Sequence, residues 1–388
     1  MKRLLTALPV LATAAVLAAL GWPQLFGLQN TWVGAHAVSL RGLGAVAAVA
    51  LAAVLLLFTG IRPLRRLLGA LVVLLLLFGA GNAGVLIMRG VGTRGAPAAA
   101  AETTDAVTVL SWNTLGDAPG AAAIAALALG QGADVVTLPE TTEETGAAVA
   151  EAMKDGGRPM WVHTIAFDQI SKARSTTLLI SPDLGDYTVA NAAGSGPPGN
   201  TNVLPTVVAV PADGTGPTII AVHAVAPIRF EMSNWRSDLD WLATQCAGGN
   251  VIMAGDFNAT VDHMSGREAA TGAVLGRCRD AALATGTGAV GTWPAFAPTL
   301  LGAPIDHVLS TPNWRTQSMS VVETKDAAGS DHRPIVATLP PPPRSPAPPL
   351  PPSPAPGSPA QGARPGRERP LRGSLSTGTA TMRGGMGQ

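Results

Sequence analysis

Two long apolar stretches near the start of the chain most constrain what it can fold into. Residues 42–61 and 67–88 contain no charged side chain, and each is long enough to cross a bilayer, which takes about 20 apolar residues. Residues 4–22 form a third apolar stretch after Lys2 and Arg3. Because this stretch lacks a convincing small-residue cleavage site and is followed by the two other apolar stretches, we interpret it as a span rather than a signal peptide. Residues 1–89 are therefore predicted to be a membrane anchor with about three transmembrane helices, and a buried helical core is the alternative.

The basic residues around these stretches predict an orientation. Most of them flank the first span or lie between the second and third: Lys2, Arg3, Arg62, Arg65 and Arg66. Only Arg41 lies on the opposite side. The positive-inside rule then places the N-terminus in the cytoplasm. Three crossings give a multi-pass plasma-membrane protein in which everything after about Arg89 is extracytoplasmic.

Composition divides the rest of the chain. Residues 90–105 are a predicted linker, residues 106–339 a folded domain, and residues 340–388 a Pro-rich tail that is either disordered or a docking segment. Residues 101–339 carry 12 basic and 24 acidic side chains, a formal charge of −12 that the near-neutral total for the whole chain hides. Nucleic-acid affinity comes largely from basic contacts to phosphates, so we expect no stable nucleic-acid partner.

The chain has two cysteines, Cys246 and Cys278. Outside the cytoplasm they could form a disulfide, and two free buried thiols are the alternative. Sequence alone does not decide between them.

Short β-branched runs recur through the folded domain, among them "AVTVLSWN", "DVVTLPE", "STTLLIS", "TVVAVP", "TIIAVHA", "VIMAGDFN", "IDHVLS" and "PIVATL". Gly, Pro, Asp or Asn bound them, as is typical of strands. Trp235, Leu239 and Leu242 follow helical spacing, which predicts one apolar helix face. Many strands and a few helices without strict alternation indicate an α/β (α+β) fold of packed sheets covered by helices.

Polar side chains stand at or beside the ends of these runs, in the order Asn113, Glu140, His223, Asp256, Asn258, Asp306, Asp331 and His332. In "GDFN", strand alternation would turn Asp256 and Asn258 to one face and Phe257 to the other. Together these groups supply what hydrolysis of a phosphate ester needs: oxygen ligands for a hard divalent cation, a base for water and partners for the phosphoryl charge.

The order and wording of these segments resemble the endonuclease/exonuclease/phosphatase superfamily of metal-dependent, DNase I-like phosphohydrolases. "GDFN" and "SDHRP" carry most of the resemblance, with "WN", "LPE", a strand-end histidine and "ID" in the family's order. The resemblance covers essentially all of residues 106–339. It implies a four-layer sandwich of two mainly antiparallel β-sheets flanked by helices.

The resemblance also implies roles, which pass to matching positions. Glu140 would be the principal ligand of Mg²⁺ or Mn²⁺, with Asn113 beside it and Asp331 as a second acidic contributor. The catalytic positions are those that act on the phosphate and its water. Asp256 would orient and deprotonate the water, Asn258, His332 and His223 would contact the phosphate, and Asp306 would fix the tautomer of His332.

The sequence departs from the family's pattern at a few positions. Leu115 stands where some members carry an aspartate two residues after the first asparagine, and Asp117 is close but out of register. Pro139 replaces a common glutamine beside Glu140. His307 should turn away from Asp306 by strand alternation, so we interpret it as structural.

These features predict a membrane-anchored, metal-dependent phosphohydrolase, with phosphodiesterase as the preferred activity, that acts outside the cytoplasm by in-line attack of water. Its substrate could be a lipid headgroup, a small ester or nucleic acid, and the alternative enzyme is an endonuclease or exonuclease. A catalytically inactive binding module with a Pro-rich interaction tail is the alternative from another class. Both histidines, the base candidate and the metal carboxylate argue against that module.

Overall fold

The computed structural model describes residues 2–95, 105–168, 170–191 and 199–341. The predicted tail, 340–388, lies almost wholly outside the described residues. The described strands are β1 Arg94–Gly95, β2 Val107–Ser111, β3 Val135–Pro139, β4 Trp161–Ala166, β5 Ser175–Ile180, β6 Tyr187–Val189, β7 Val207–Pro211, β8 Thr218–His223, β9 Val251–Asp256, β10 Arg279–Asp280, β11 Asp306–Ser310, β12 Ser318–Val321 and β13 Ile335–Leu339. All eight quoted strand-like runs are strands, so this prediction is confirmed.

The strands form two sheets. One has the order β1-β12-β13-β2-β3-β5-β4 and the other the order β10-β11-β9-β8-β7-β6. Within each sheet one neighbouring pair is parallel, β2 with β3 and β8 with β9, and every other described pair is antiparallel. The prediction of mainly antiparallel sheets is therefore confirmed.

The described helices are α1 Lys2–Gly21, α2 Trp32–Ser39, α3 Arg41–Leu57, α4 Arg65–Arg89, α5 Ala121–Gln131, α6 Glu143–Asp155, α7 Met232–Gln245, α8 Val261–Met264 and α9 Ala281–Thr285. Short 3₁₀ turns occur at Pro23–Phe26, Lys172–Arg174, Pro182–Leu184, Thr299–Leu301 and Glu323–Lys325.

Three apolar cores stack through the folded domain. Alternation along β2 separates two of them: Val109 points to the core between the sheets, and Leu110 points to the core under α5 and α6. The third core lies between the second sheet and α7, where Trp235, Leu239 and Leu242 are fully buried. Two sheets with helices on their outer faces give the predicted sandwich.

The N-terminal helices do not match the predicted anchor in number. Among the described residues, α4 alone is long and apolar enough to cross a membrane. The pair α2 and α3 is bent by 84° and would add a second span only if it counts as one broken segment. In α1, the apolar stretch Ala7–Gly21 is shorter than a span. The prediction of three transmembrane helices is therefore not supported.

A buried ion cluster joins these helices to the folded domain. Asp262, in α8, accepts two hydrogen bonds from Arg41 at 2.8 and 2.9 Å and two from Arg89 at 2.7 and 2.8 Å. Gln24 donates a further bond of 2.6 Å. Burial by itself raises the pKa of Asp262, but the bonds from Arg41 and Arg89 outweigh it and hold that pKa well below its usual range. Asp262 therefore stays charged and binds both helix ends at once.

Two further contacts tie the chain together. β1 lies at the start of the predicted linker, 90–105, and pairs with β12 through Arg94 and Ser320. Residues 96–104 of that linker lie outside the described residues.

Cys246 and Cys278 form a disulfide with a Cα–Cα distance of 5.7 Å, which selects one of the two alternatives left open by the sequence. In the chain-entropy model a loop of this length contributes about 3–4 kcal/mol.

We expect Asp262→Ala to lower the free energy of unfolding by about 3–5 kcal/mol, because it leaves the buried guanidinium of Arg41 and the partly buried one of Arg89 without their carboxylate. Chemical unfolding of the full chain in detergent micelles measures the change. Asp240→Ala is the matched control, because the carboxyl of Asp240 is 66% exposed in its pair with Arg267 and such pairs contribute about 0–1 kcal/mol. Equal losses in the two variants would show that the cluster adds no more than a surface pair.

Candidate active site

Strand register gathers the polar side chains at one end of the sandwich. Asp256 ends β9 and lies opposite His223, which ends the parallel strand β8, and opposite Asp306, which begins the antiparallel strand β11. In the other sheet, Asn113 and Glu140 follow the ends of the parallel strands β2 and β3. Asp331 and His332 precede β13, whose first residue pairs with the last residue of β2. All eight predicted site residues therefore lie at this end.

Asp256 is the centre of the hydrogen-bond network. Its carboxylate accepts from Asn113 Nδ2 at 3.1 Å and from the backbone N–H of Asn258 at 2.8 Å. His332 Nε2 lies 3.7 Å from Asp256 Oδ2. Burial raises the pKa of Asp256 and the His332 imidazolium lowers it, and the net pKa lies above that of an ordinary aspartate. A carboxylate with a raised pKa accepts a proton from water more readily than an exposed one.

His332 is held between two carboxylates. Its Nδ1 lies 2.8 Å from Asp306 Oδ2, and its Nε2 faces Asp256. Burial lowers the pKa of His332, but Asp306 and Asp256 raise it by more, so the net pKa lies above the usual value. The imidazole is therefore charged at neutral pH, and its bond to Asp306 sets the ring orientation.

His223 has the opposite character. Burial, with the charge of His332 nearby, lowers the pKa of His223 to about 3. Its Nε2 lies 3.8 Å from Glu140 Oε1, but this contact is not an ion pair because the ring is neutral. Both ring nitrogens lack a hydrogen-bond partner among the described residues. A neutral ring can donate one N–H to a bound group, as the predicted role requires.

The loop after β9 corrects one part of the sequence argument. Asn258 lies beyond the end of β9 with a φ of 46°, so strand alternation does not place it beside Asp256. Instead the chain folds back, and Asn258 Nδ2 donates to Asp256 at 3.2 Å and to the Ala224 carbonyl at 2.9 Å. A phosphate contact by this amide would replace the longer bond. Phe257 is fully buried in the core that includes Trp235 of α7.

The backbone is strained around the site. Four described non-glycine residues have positive φ, and all follow strands that end there: Leu115, Asp117, Glu140 and Asn258. Such conformations cost about 1–3 kcal/mol each and cluster at functional sites. Gly255 lies just before Asp256 with a φ of 151°, and a Cβ there would clash with the Val222 carbonyl on β8. The glycine of "GDFN" therefore permits the close approach of β8 and β9.

The predicted metal ligands form an oxygen-rich group. Glu140 Oε1 accepts from Asn113 Nδ2 at 3.1 Å, and Asp331 lies close enough to raise the pKa of Glu140, after burial as the larger cause. Asp331 Oδ1 is buried without a hydrogen-bond partner among the described residues. Hard oxygen donors with uncompensated negative charge fit Mg²⁺ or Mn²⁺. Asn113 lies between Glu140 and Asp256, because its Nδ2 donates to both carboxylates, and its Oδ1 accepts from the Leu115 N–H at 3.0 Å.

A second group, Asp256, Asp306 and His332, places its ligand atoms within 4.8 Å of one another. A histidine must be neutral to bind a metal, whereas the two carboxylates keep His332 charged. In the absence of an ion we therefore interpret this group as a charge-paired network.

Two residues that departed from the family's pattern have other partners. Asp117 accepts from the N–H and hydroxyl of Thr142 at 2.9 and 3.0 Å, and it pairs with Lys172 at 3.1 Å. His307 bonds Asp280 at 2.6 Å and the Ala259 carbonyl at 2.8 Å, which agrees with its predicted structural role. Neither residue joins the site.

Sequence reasoning missed three residues that support the site. Trp293 Nε1 donates to Asp331 Oδ2 at 2.9 Å. Ser330 donates to the Asn113 carbonyl at 2.6 Å and accepts from the His332 N–H at 3.0 Å. Arg333, only 2% exposed, bonds Asp326 and the carbonyls of Gly291 and Ala297. Only Ser330 and Arg333 had a sequence signal, their place in "SDHRP".

Comparisons with known proteins identify the family. The sequence profile of the Endonuclease/Exonuclease/phosphatase family matches residues 110–332, more than half of the chain. No curated protein matches the chain.

Several solved structures are similar to it. An endonuclease/exonuclease/phosphatase from Beutenbergia cavernae shares 18% identity at a TM-score of 0.44, covering 61% of this chain and 71% of that one. A second from Bacteroides vulgatus shares 17% at 0.45, covering 62% and 100%. A mannosyl-6-phosphatase from Bacteroides thetaiotaomicron shares 15% at 0.42, covering 60% and 99%.

We expect Asp306→Asn to lower the pKa of His332. The Asp306 carboxylate stabilises the charged imidazole, so its removal favours the neutral ring. NMR titration of the His332 ring protons in the full chain, in detergent micelles, measures the shift. Asp280→Asn is the matched control, because Asp280 pairs with His307 instead. A His332 pKa that stays unchanged in Asp306→Asn would contradict the assigned partner.

Proposed function

Since the chain belongs to the endonuclease/exonuclease/phosphatase family, we propose that it is a membrane-anchored phosphodiesterase whose active site lies outside the cytoplasm. Members of this family are metal-dependent hydrolases of phosphate ester bonds, and this chain is such a hydrolase. The observation that carries the proposal is the buried carboxylate of Asp256, held by Asn113 and Asn258 and faced by a charged His332. This set can activate water beside a bound phosphate.

Glu140 and Asp331, with Asn113 beside them, are the residues that would hold Mg²⁺ or Mn²⁺. A bound ion would act as a Lewis acid toward the phosphoryl oxygens. The structure of this chain supports that assignment through the donor set itself, which brings carboxylate oxygens together in a site where burial raises the pKa of Glu140.

The side chains of the chain divide the remaining work. Asp256 orients the attacking water and takes its proton. The water oxygen bonds to phosphorus, the bond to one ester oxygen breaks, and the released alcohol takes a proton from solvent. His332 supplies positive charge to the phosphoryl oxygens, and neutral His223 supplies one N–H. Asn258 adds an amide donor once its bond to Asp256 is exchanged.

Three features support membrane anchoring with the active site outside. Helix α4 can cross a membrane by itself, and Arg65 and Arg66 begin it, which favours a cytoplasmic start. Arg89 ends the helix, where Asp262 offsets its charge. The disulfide between Cys246 and Cys278 suits an oxidising compartment. One crossing is enough to place residues after Arg89 outside.

The acidic charge of the domain argues against the nuclease alternative. Residues 101–339 carry a formal charge of −12, and a nuclease must draw in a polyanion largely through basic contacts. A diester of low charge meets no such barrier.

We expect the full chain in detergent micelles to hydrolyse bis(p-nitrophenyl) phosphate with Mg²⁺ or Mn²⁺ and to stop in EDTA. Asp256→Asn should lower the rate at least about 100-fold, the usual scale for losing acid–base assistance. Asp280→Asn, which alters a buried Asp–His pair away from the site, should keep a rate near wild type. A wild-type rate in Asp256→Asn would contradict the role of the base, and faster turnover of p-nitrophenyl phosphate would contradict a phosphodiesterase.

Glu140→Gln should raise the metal concentration needed for half-maximal rate by at least about tenfold, because even partners outside the ligand set contribute about 10–100-fold to metal affinity. Metal titration of the same reaction measures the change. Glu144→Gln, at an exposed position of α6, is the control and should titrate like the wild type. If Glu140→Gln also did so, Glu140 would not be the principal ligand.

A further inference from the structure

Two phenylalanines in the folded domain are almost fully exposed. Phe230 is 91% exposed and Phe296 is 88% exposed. A phenylalanine left in water forgoes about 1.5–3 kcal/mol of burial energy. Two such side chains on loops that both begin at the active site indicate a surface that meets an apolar neighbour.

The first loop, residues 224–231, runs from the site to the N-terminal helices. The Ala224 carbonyl accepts from Asn258 Nδ2 at 2.9 Å. At the far end, the Arg229 guanidinium lies 5.7 Å from the centre of the Trp32 ring, at the start of α2. Ile228, 53% exposed, and Phe230 lie on either side of Arg229.

The second loop, residues 293–302, also runs from the active site to the N-terminal helices. Trp293 Nε1 donates to Asp331 at 2.9 Å. The Leu300 carbonyl packs against Gly42 in the first turn of α3, where a Cβ would clash with it. The buried Arg333 donates to the Ala297 carbonyl at 2.7 Å, which fixes the part of the loop that presents Phe296.

Both loops therefore place exposed apolar side chains between the active site and the helix ends. Together with Trp32 at the start of α2, we call these side chains the rim: Ile228, Phe230, Phe296, Leu300 and Trp32, between 40% and 91% exposed. The rim adjoins the start of α3, and Arg41 there shares Asp262 with Arg89 at the end of α4. The rim is thus level with the end of the helix that can cross a membrane. Aromatic side chains favour that level of a bilayer.

We propose that the rim rests in the outer leaflet and that the substrate is a phosphodiester of a membrane lipid, drawn from the bilayer between the two loops. This inference rests on the proposed function and names its substrate class. Lipid position supplies the specificity: the apolar loops hold the bilayer surface at the mouth of the site, so that a headgroup phosphate can reach Asp256 and His332.

The first test compares two substrates in one preparation. The full chain is reconstituted into vesicles of phosphatidylcholine and phosphatidylglycerol, and released headgroup products are measured beside turnover of bis(p-nitrophenyl) phosphate. The double variant Phe230→Ser, Phe296→Ser should lose at least about tenfold more activity on lipid than on the soluble diester. Tenfold is equivalent to about 1.4 kcal/mol. Trp161→Ser, at an exposed position on the edge strand β4 and at the opposite end of the sheet from Glu140, should lower neither activity.

The outcomes separate the two proposals. Turnover of the soluble diester without lipid hydrolysis, or equal losses on both substrates in the double variant, would overturn the lipid inference and leave the phosphodiesterase intact. If neither substrate were turned over, the proposed function itself would be overturned.

A second measurement tests the rim without any substrate. Phe230→Cys can carry the only nitroxide label, because Cys246 and Cys278 are paired. In vesicles this label should be more accessible to oxygen than to a water-soluble nickel chelate, and a label at Trp161→Cys should show the reverse. Equal accessibility profiles at the two positions would overturn membrane contact by the rim.

Discussion

The pairing of β9 with its two neighbours is the constraint on which the site depends. Because β8 runs parallel to β9 and β11 runs antiparallel to it, a strand end, a strand end and a strand start meet at the same level. That level holds His223, Asp256 and Asp306. A one-residue slip of either neighbour would turn its polar side chain to the opposite face, and the site would lose its neutral ring or the partner of His332. Apolar burial on both faces of β9 holds this register in place.

Burial at the site has two consequences that oppose each other. It excludes water, which raises the pKa of Asp256 and Glu140 and keeps His223 neutral. It also crowds carboxylates, whose repulsion is relieved only in part by His332. The strained backbone at Glu140 and Asn258 adds to this energy. The stacked cores of the sandwich supply the stability that holds such an arrangement.

The sequence allowed much of this to be predicted, for a local physical reason. A strand with an apolar interior and a polar residue at its end predicts both that the strand is buried and that the polar residue contributes to a site. Glu140, His223 and Asp256 could be recognised in this way. Short or exposed edge strands such as β4 and β6 carry no such pattern and were missed. The position of Asn258 depends on a left-handed turn, which the alternation rule does not describe.

Contacts between distant segments could not be predicted. Asp262 lies 221 residues from Arg41 and 173 from Arg89, and nothing near Asp262 in the sequence indicates that helix ends supply its partners. The number of spans was overestimated for a related reason. Hydropathy reports the length of an apolar stretch, but helix α3 ends at Leu57 after 17 residues and the apolar stretch Ala7–Gly21 of α1 is shorter still, so two of the three predicted spans fall short.

The start of β1 has a consequence for how such an enzyme would meet its substrate. Only residues 90–93 separate the end of α4 from the strand pairing at Arg94, and four residues span at most about 14 Å even when fully extended. This connection is too short to let the folded domain move far from the end of α4. If α4 lies in a bilayer, the active site stays at a constant height and cannot search the space above it. The rate at which substrate meets the active site would then be set by lateral diffusion within the leaflet. Crowding of the membrane, rather than mixing of the surrounding solution, would limit that rate.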